Sequence, residues 1–289
     1  MRTGPARALS LALLGLTLAA SASAASLVEE ARAVWRDDDP SHGGVSGIEV
    51  SADGRVALTL GDRGVFASAA LERDARGRLT GVRTLERSPV RDTEGRARRG
   101  IDAEGLVLRE DGRIYASIEG PSRVWTWRDP GSEAAWMPSA PGFRQLSGNS
   151  GLEALAIDGA GRLWTAAETE GGALWVYDGE WRIAGRLRGS GGFRVVGADF
   201  GPDGDLWLLE RRFGGLAFAS RIRRVTVDGA EVVADEIVMR SLPGLYGNLE
   251  GIAVWRGSDG AIRVTAVSDD NFLAFVPTTV VEWRLEEEG

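Results

Sequence analysis

Alternating apolar and polar residues predict a β-hairpin in the stretch Asp102–Gly120 (DAEGLVLREDGRIYASIEG). A short apolar strand leads to the pair Asp111-Gly112, which tolerates the positive φ of a tight turn, and Ile114–Ile118 forms the returning strand. Antiparallel pairing places the start of the first strand beside the end of the second. The pattern therefore predicts that the carboxylates of Glu104 and Glu119 lie side by side at the open end of the hairpin.

The same pattern recurs five times along the chain. The copies are SGIEVSADG from Ser46, EGLVLREDG from Glu104, EALAIDGAG from Glu153, VGADFGPDG from Val196 and EGIAVWRGSDG from Glu250. Their starts lie 43 to 58 residues apart, which is too irregular for a solenoid and typical of β-propeller blades with variable loops. Each copy leaves room for two further strands, so we predict an all-β chain folded as a single propeller of five four-stranded blades. Six blades remain possible if Ser88–Gly100, which we interpret as a basic loop, belongs to a blade without the motif.

The two ends of the chain also have strand-like patterns. One is Ala31–Asp37 (ARAVWRD) and the other is Thr278–Leu285 (TTVVEWRL). Pairing between them would protect two strand edges that would otherwise be exposed. We therefore expect the N-terminal strand to complete the last blade and close the ring.

The first 24 residues have the features of a secretory signal peptide. Arg2 and Arg7 precede the apolar run Leu9–Ala20, and Ala22–Ala24 fits a cleavage site with small residues. An uncleaved membrane anchor is the alternative, but the apolar run is shorter than a spanning helix. We expect one propeller domain at residues 25–289, periplasmic or secreted, with no membrane span after signal cleavage.

Composition narrows the possible partners and chemistry. The chain carries 42 acidic and 34 basic residues, a net charge of −8, which argues against nucleic acid as a partner. Cysteine is absent, so a thiolate nucleophile and a thiolate metal site are excluded. The sequence also contains no GxSxG elbow, P-loop or dinucleotide-binding glycine motif. We expect a monomer.

In a propeller, the open ends of the inner hairpins lie on one face near the central channel. The candidate metal ligands gathered there are Glu104, Glu119, Glu153, Glu168, Glu250 and Asp269, and Asp62 and Glu210 are expected at the same face. So many carboxylates must be protonated, paired with arginine or neutralised by a cation. Oxygen ligands without cysteine favour Ca²⁺ or Mg²⁺. In the alternative interpretation, the acids accept hydrogen bonds from backbone amides and only latch adjacent blades together.

A second group of polar residues could bind the substrate. Its members are Arg63, Arg211, His42, Asn149, Asn248 and Asn271. The two arginines directly follow acids, and they could hold a phosphate or carboxylate by bidentate hydrogen bonds or simply pair with the neighbouring acids. The asparagines lie close to repeat acids and could instead complete a metal shell. The single histidine could act as a base, a ligand or a donor to the substrate, or lie in a surface loop without a role.

Several motifs taken together resemble the phytase-like family, which is described by an esterase-like activity of phytase. They are HGGVSGIEV from His42, GDRG from Gly61, DAEGLVL from Asp102, NSGLEALAI from Asn149, NLEGIAV from Asn248 and SDDNF from Ser268. The resemblance spans nearly the whole chain after the signal peptide. It implies an exported β-propeller that hydrolyses phosphoric or carboxylic esters. Propeller lactonases are similar in placing Glu and Asn around one metal, as Glu104, Asn149 and Asn248 could.

The leading hypothesis is a metal-dependent hydrolase of a small anionic ester. Glu104, Glu153 and Glu250 would hold the cation with help from Glu119, Glu168 or Asp269, and the cation would polarise the substrate and activate water. The alternatives are a non-catalytic ligand- or protein-binding propeller with a structural cation, a propeller lactonase, and a scaffold whose acids only latch the blades. Carboxylates converging on one cavity would favour a site, whereas acids bonded to backbone amides would favour the latch.

Overall fold

The computed structural model describes residues 25–119, 122–146, 151–273 and 275–287. The candidate signal peptide lies outside these residues and stays a prediction. In the part of the chain that is described, no helix has the length and apolarity needed to cross a membrane.

The chain forms five antiparallel four-stranded sheets, as the repeats predict. Blade 1 contains β2 (Val45–Val50), β3 (Val56–Gly61), β4 (Val65–Arg73) and β5 (Leu79–Pro89). Blade 2 contains β6 (Ala103–Leu108), β7 (Ile114–Ile118), β8 (Arg123–Trp127) and β9 (Ala135–Trp136). Blade 3 contains β10 (Leu152–Ile157), β11 (Leu163–Ala167), β12 (Gly172–Tyr177) and β13 (Trp181–Leu187), after a 3-10 helix at Pro141–Gln145. Blade 4 contains β14 (Arg194–Phe200), β15 (Leu206–Phe213), β16 (Phe218–Asp228) and β17 (Glu231–Arg240).

Blade 5 combines both ends of the chain. It contains β18 (Asn248–Arg256), β19 (Ile262–Asp269) and β20 (Thr278–Glu286), with β1 (Ser26–Trp35) as its outermost strand. The antiparallel register pairs Ala33 with Val280. The predicted closure by the N-terminal strand is therefore confirmed. Residues 88–100 form the end of β5 and a connection with one isolated bridge, between Arg91 and Ala97, so the six-blade alternative is wrong.

The innermost strand of every blade carries a β-bulge near its start. The unpaired residues at these bulge positions are Ser46, Glu104 (with Gly105), Glu153, Val196 and Glu250. A bulge bends its strand and turns a side chain away from the regular alternation. In this propeller it recurs at the first residue of each sequence repeat, where three of the five residues are glutamates.

Adjacent inner strands approach closely just after the bulges. A Cβ atom added to Gly105 would lie 2.5 Å from the backbone nitrogen of Leu155 in blade 3, and one added to Gly197 would lie 2.6 Å from the carbonyl oxygen of Glu250 in blade 5. Glycine at these positions lets the backbones meet around the axis. The narrow inner ring brings the bulge positions of neighbouring blades together.

Large aromatic side chains fill the space between the sheets. Trp164 of blade 3 packs with Val195 and Leu206 of blade 4, and Trp207 of blade 4 packs with Ile252 of blade 5. Both tryptophans are fully buried. Burial of such aromatic surface between the sheets holds the blades against one another, because it removes a large apolar area from water.

Candidate active site at the mouth of the channel

A cavity of about 570 Å³ lies at the open ends of the inner hairpins. Its polar lining comprises Asp62, Glu104, Glu119, Glu153, Glu168, Glu250 and Asp269, together with Arg194, Arg211, Arg212, Asn248 and Asn271. Phe213 and Phe218 also line it. The structure thus brings together in one cavity the six carboxylates that the sequence suggests as metal ligands.

The acids of this cavity come from two equivalent places in the blades. One is the bulge position of the inner strand, which holds a glutamate in blades 2, 3 and 5. The other is on the second strand, one residue beyond the partner of the residue that precedes the bulge. These strand-end positions hold Asp62, Glu119, Glu168, Arg211 and Asp269 in blades 1 to 5. Blade 4 therefore has an arginine at the position where the other four blades have an acid.

The expectation that Glu210 would reach the mouth is wrong. Glu210 is fully buried and pairs with Arg221 and with Arg223, whose Nη1 lies 3.1 Å from its Oε1. The register places Arg221 directly opposite Glu210 on the neighbouring strand β16. Glu210 is thus part of an ion-paired core beside the channel, and Arg211 takes the strand-end position instead.

Two overlapping groups of carboxylates have the spacing of a cation site. Glu104, Glu119 and Glu153 each offer one oxygen, and these oxygens lie within 4.8 Å of one another. The same holds for Asp62, Asp102 and Glu104. Glu104 belongs to both groups. A divalent cation that prefers oxygen ligands could be held by either group.

Arg211 neutralises the opposite side of the cavity. Its guanidinium pairs with Glu250, donates a hydrogen bond to Asn248 Oδ1 at 2.8 Å and lies 3.4 Å from Glu168 Oε1. Asn248 in turn donates to Glu250 Oε1 at 2.8 Å. Among the described residues, Glu104, Glu119 and Glu153 make no ion pair of this kind. Asp62 and Asp269 also lack an ion pair among the described residues, so these five acids of the cavity are the ones without a directly paired arginine.

Burial and mutual repulsion disfavour the ionised form of these acids. Burial, with Glu168 nearby, raises the pKa of Glu153 to about 9 even though Arg211 opposes the change. Burial, with Glu153 and Glu250 nearby, also raises the pKa of Glu104 well above its usual value. The pKa of Glu250 rises only to about 7, because Arg211 partly offsets the effect of burial. A bound cation would stabilise the ionised carboxylates and displace protons from them.

Two of the other sequence candidates lie outside this cavity. The Arg63 guanidinium lies 4.0 Å from the ring centre of Phe272 and faces a neighbouring pocket that Arg98 and Arg99 also line. His42 packs edge-on against Trp35, and its Nε2 lies 3.2 Å from the Trp35 carbonyl oxygen. Asn149 falls outside the described residues, whereas Asn248 and Asn271 line the cavity.

Sequence reasoning missed Arg194, Arg212, Phe213 and Phe218 as lining residues. A usable signal in blades 2 to 4 was the number of residues from the turn glycine to the end of the second strand. Glu119 and Glu168 lie seven residues after Gly112 and Gly161, and the same count from Gly204 ends on Arg211 rather than on Glu210. That count places the whole end of β15, with its arginines and phenylalanine, at the mouth.

Comparison with known proteins identifies a family model that matches this chain. The Phytase-like family model, described as esterase-like activity of phytase, matches residues 40–272. No curated protein matches the sequence significantly. The PQQ-bound aldose sugar dehydrogenase of Streptomyces coelicolor is similar over 91% of this chain and 99% of its own, at 13% identity and a TM-score of 0.48. A protein described as a candidate gluconolactonase is similar over 93% and 95%, at 14% identity and a TM-score of 0.43.

Proposed function

Because the chain belongs to the phytase-like family, we propose that it is a metal-dependent ester hydrolase whose active site is the cavity at the channel mouth. One observation carries the proposal. Glu104, Glu119 and Glu153 come from two blades and direct oxygens to within 4.8 Å of one another at the wall of an open cavity. Structural acids are normally satisfied individually, whereas convergent carboxylates in a cleft are typical of a catalytic or metal site.

The donor set fits Ca²⁺ or Mg²⁺. All the candidate ligands are carboxylate or amide oxygens, which hard divalent cations prefer. Glu104, Glu119 and Glu153 would hold the cation, with Asp62 and Asp102 as further ligands on the other side of Glu104. Such a cation supplies Lewis-acid polarisation of an ester oxygen and activation of water.

The arginines of blade 4 would orient the substrate. Arg211 lines the cavity and is held by Glu250 and Asn248, so its position is fixed before substrate binds. Arg194 lies on the same wall, with its Nη1 3.7 Å from Glu168 Oε2, and about half of its side chain is exposed. Guanidinium groups in this arrangement favour phosphate or carboxylate oxygens. The proposed substrate is therefore an anionic ester that reaches the carboxylates past Arg194 and Arg211.

Activity screening tests this function directly. The protein, stripped of metal with a chelator, is assayed against phosphomonoesters, phytate, aryl esters and lactones, with and without added Ca²⁺ or Mg²⁺. We expect turnover of at least one ester class only in the presence of a divalent cation, and a higher melting temperature when the cation is bound. Absence of metal-dependent turnover across all four classes would reject catalysis.

A second candidate function is a ligand-binding propeller with a structural cation. Glu104 and Glu119 belong to blade 2 and Glu153 belongs to blade 3, so a cation between them would cross-link adjacent blades. In that case Glu153→Gln would lower the melting temperature measured with Ca²⁺ without affecting any hydrolysis. Lactonase activity remains a further prediction, and the lactones in the same activity screen test it.

Export remains part of the proposal. The small residues Ala22–Ala24 that follow the apolar run predict cleavage after Ala24. Expression with the full N-terminus, followed by N-terminal sequencing of the protein recovered outside the cytoplasm, should give a chain that begins near Ala25. Recovery of the uncleaved chain in the membrane fraction would favour the anchor.

A further inference from the structure

The loops around the channel mouth differ sharply in polarity. Strands alternate in direction within each blade, so the loops β15–β16, β17–β18 and β19–β20 all lie at the same end as the acids. Among the described residues they carry seven exposed apolar side chains, here called the apolar rim: Phe213, Leu216, Leu242, Leu245, Phe272, Leu273 and Phe275. Leu216 is 99% exposed, Phe275 82% and Leu242 75%. Across the mouth, the β5–β6 connection is basic and contains Arg98 and Arg99.

The apolar rim is continuous with the candidate active site. Phe213 belongs to both, because it lines the cavity that also contains Glu104 and Glu153. Its ring centre lies 5.0 Å from that of Phe218, which lines the same cavity. The Arg211 guanidinium lies 5.5 Å from the centre of the Phe218 ring while it pairs with Glu250. An aromatic wall therefore begins where the ionic part of the site ends.

The rim loops are held against one another by backbone hydrogen bonds. Gly244 donates to the Phe218 carbonyl at 2.8 Å, and Ser241 donates to the Ser220 carbonyl at 2.9 Å. These bonds hold the segment that contains Leu242 and Leu245 beside the β15–β16 hairpin. These two parts of the apolar rim are thus anchored to paired strands. Phe272 stacks against Arg63, whereas the exposure of Leu216 and Leu242 has no explanation within the fold itself.

We propose that the apolar rim binds the acyl or alkyl chain of an amphiphilic anionic ester, while the ester group and its charge occupy the acidic cavity. This inference rests on the proposed function for the identity of the site, but chain binding can be measured separately. The occupant must combine an anionic head with an apolar tail, because the cavity offers arginines and carboxylates at its centre and phenylalanines at one edge. Each methylene that leaves water would strengthen binding by up to about fourfold.

A binding experiment that needs no turnover tests the proposal. Methylphosphonate and octylphosphonate are titrated into the protein by calorimetry, in the presence of Ca²⁺ and below the micelle concentration. We expect octylphosphonate to bind at least about tenfold more tightly than methylphosphonate. The double variant Leu216→Ser, Leu242→Ser should lower this ratio severalfold. Leu85→Ser, an exposed leucine on the outer strand of blade 1, serves as the matched control and should keep the wild-type ratio.

A kinetic arm uses the anionic mono-p-nitrophenyl esters of methyl-, butyl- and octylphosphonic acid, and the expected result is a rise of kcat/KM with chain length that the double variant loses. Hydrolysis of short esters with equal affinity for the two phosphonates would overturn this inference and leave the proposed function intact. A preference for octylphosphonate without turnover of any ester would reject the hydrolase but support the rim as a chain-binding surface. If equal phosphonate affinities coincide with Leu216-dependent binding to phosphatidylcholine vesicles or with dimerisation, the rim is a membrane or self-association surface and the proposal is wrong.

Discussion

Two sets of acids on or beside the inner strands make different contacts. Glu49 and Asp199 lie three residues after the bulge positions of blades 1 and 4. The Glu49 carboxylate faces the Leu108 amide of blade 2, and Asp199 accepts a hydrogen bond from the Val254 amide of blade 5 at 2.6 Å. Each therefore latches its strand to the next blade. Glu104, Glu119 and Glu153 instead direct oxygens towards one another in the open cavity, although Glu119 also accepts a hydrogen bond from the Gly151 amide beside blade 3 at 3.0 Å.

This difference shows what distinguishes a site from a latch in this fold. Burial raises the pKa of Asp199 to about 7, just as burial raises the pKa of Glu153 to about 9. A shifted pKa therefore does not separate the two sets. The position of the acid relative to the bulge does separate them. The bulged residue leaves the regular alternation and faces the channel mouth, whereas a residue farther along the strand faces the backbone of the adjacent blade.

The largest expected effect comes from removing one carboxylate at the mouth. Glu153→Gln should weaken Ca²⁺ or Mg²⁺ binding by at least about 100-fold and abolish metal-dependent turnover, because it removes a charged ligand while keeping the side-chain shape. Calorimetric titration measures the affinity. Glu49→Gln is the matched control and should leave the affinity within about twofold. Equal losses in the two variants would show that the two sets of acids do not differ in function.

A smaller effect is expected from the two arginines that follow acids. Arg211→Gln leaves Glu250 without its counter-ion and removes one of the two arginines beside Glu168, and should lower the free energy of unfolding by about 2 kcal/mol in the absence of metal. Arg63→Gln removes a contact with an aromatic ring and should cost only about 0.5–1 kcal/mol. Urea denaturation of both variants measures the difference. A greater loss for Arg63→Gln would contradict the assignment of Arg211 to the ring of strand-end positions.

The smallest expected effect is a pH dependence that isolates the latch. The pKa of Asp199 is about 7 in the folded protein and near 3.8 in the unfolded chain, so the folded state holds an extra proton between these values. Its contribution to the free energy of unfolding therefore falls as pH rises through this range. Asp199→Asn should therefore flatten the fall in the free energy of unfolding between pH 4 and pH 8.

Urea denaturation at the two pH values, with and without Ca²⁺, separates the contributions. Bound Ca²⁺ should suppress the contribution of the mouth carboxylates to the pH dependence of the free energy of unfolding. It should leave the contribution of Asp199 unchanged. Parallel stability profiles for wild type and Asp199→Asn would contradict the raised pKa.

Much of the architecture could be predicted before any coordinates. The turn glycines and alternating strands indicated five blades, and the terminal strand patterns indicated how the ring closes. The antiparallel pairing of the predicted hairpin also placed Glu104 and Glu119 at its open end, where the structure has them. These features follow from local rules, since turn chemistry and a period of two act within about ten residues.

The sequence by itself determined which residues stand at the ends of the hairpins. Only the tertiary structure decided which of them meet. The pairing of Arg211 with Glu250, the burial of Glu210 between Arg221 and Arg223, and the packing of His42 on Trp35 depend on strand register and on neighbouring sheets. The reason is that an alternating pattern specifies a strand but neither its bulge nor the blade beside it, and both of these set the direction of a side chain at the channel.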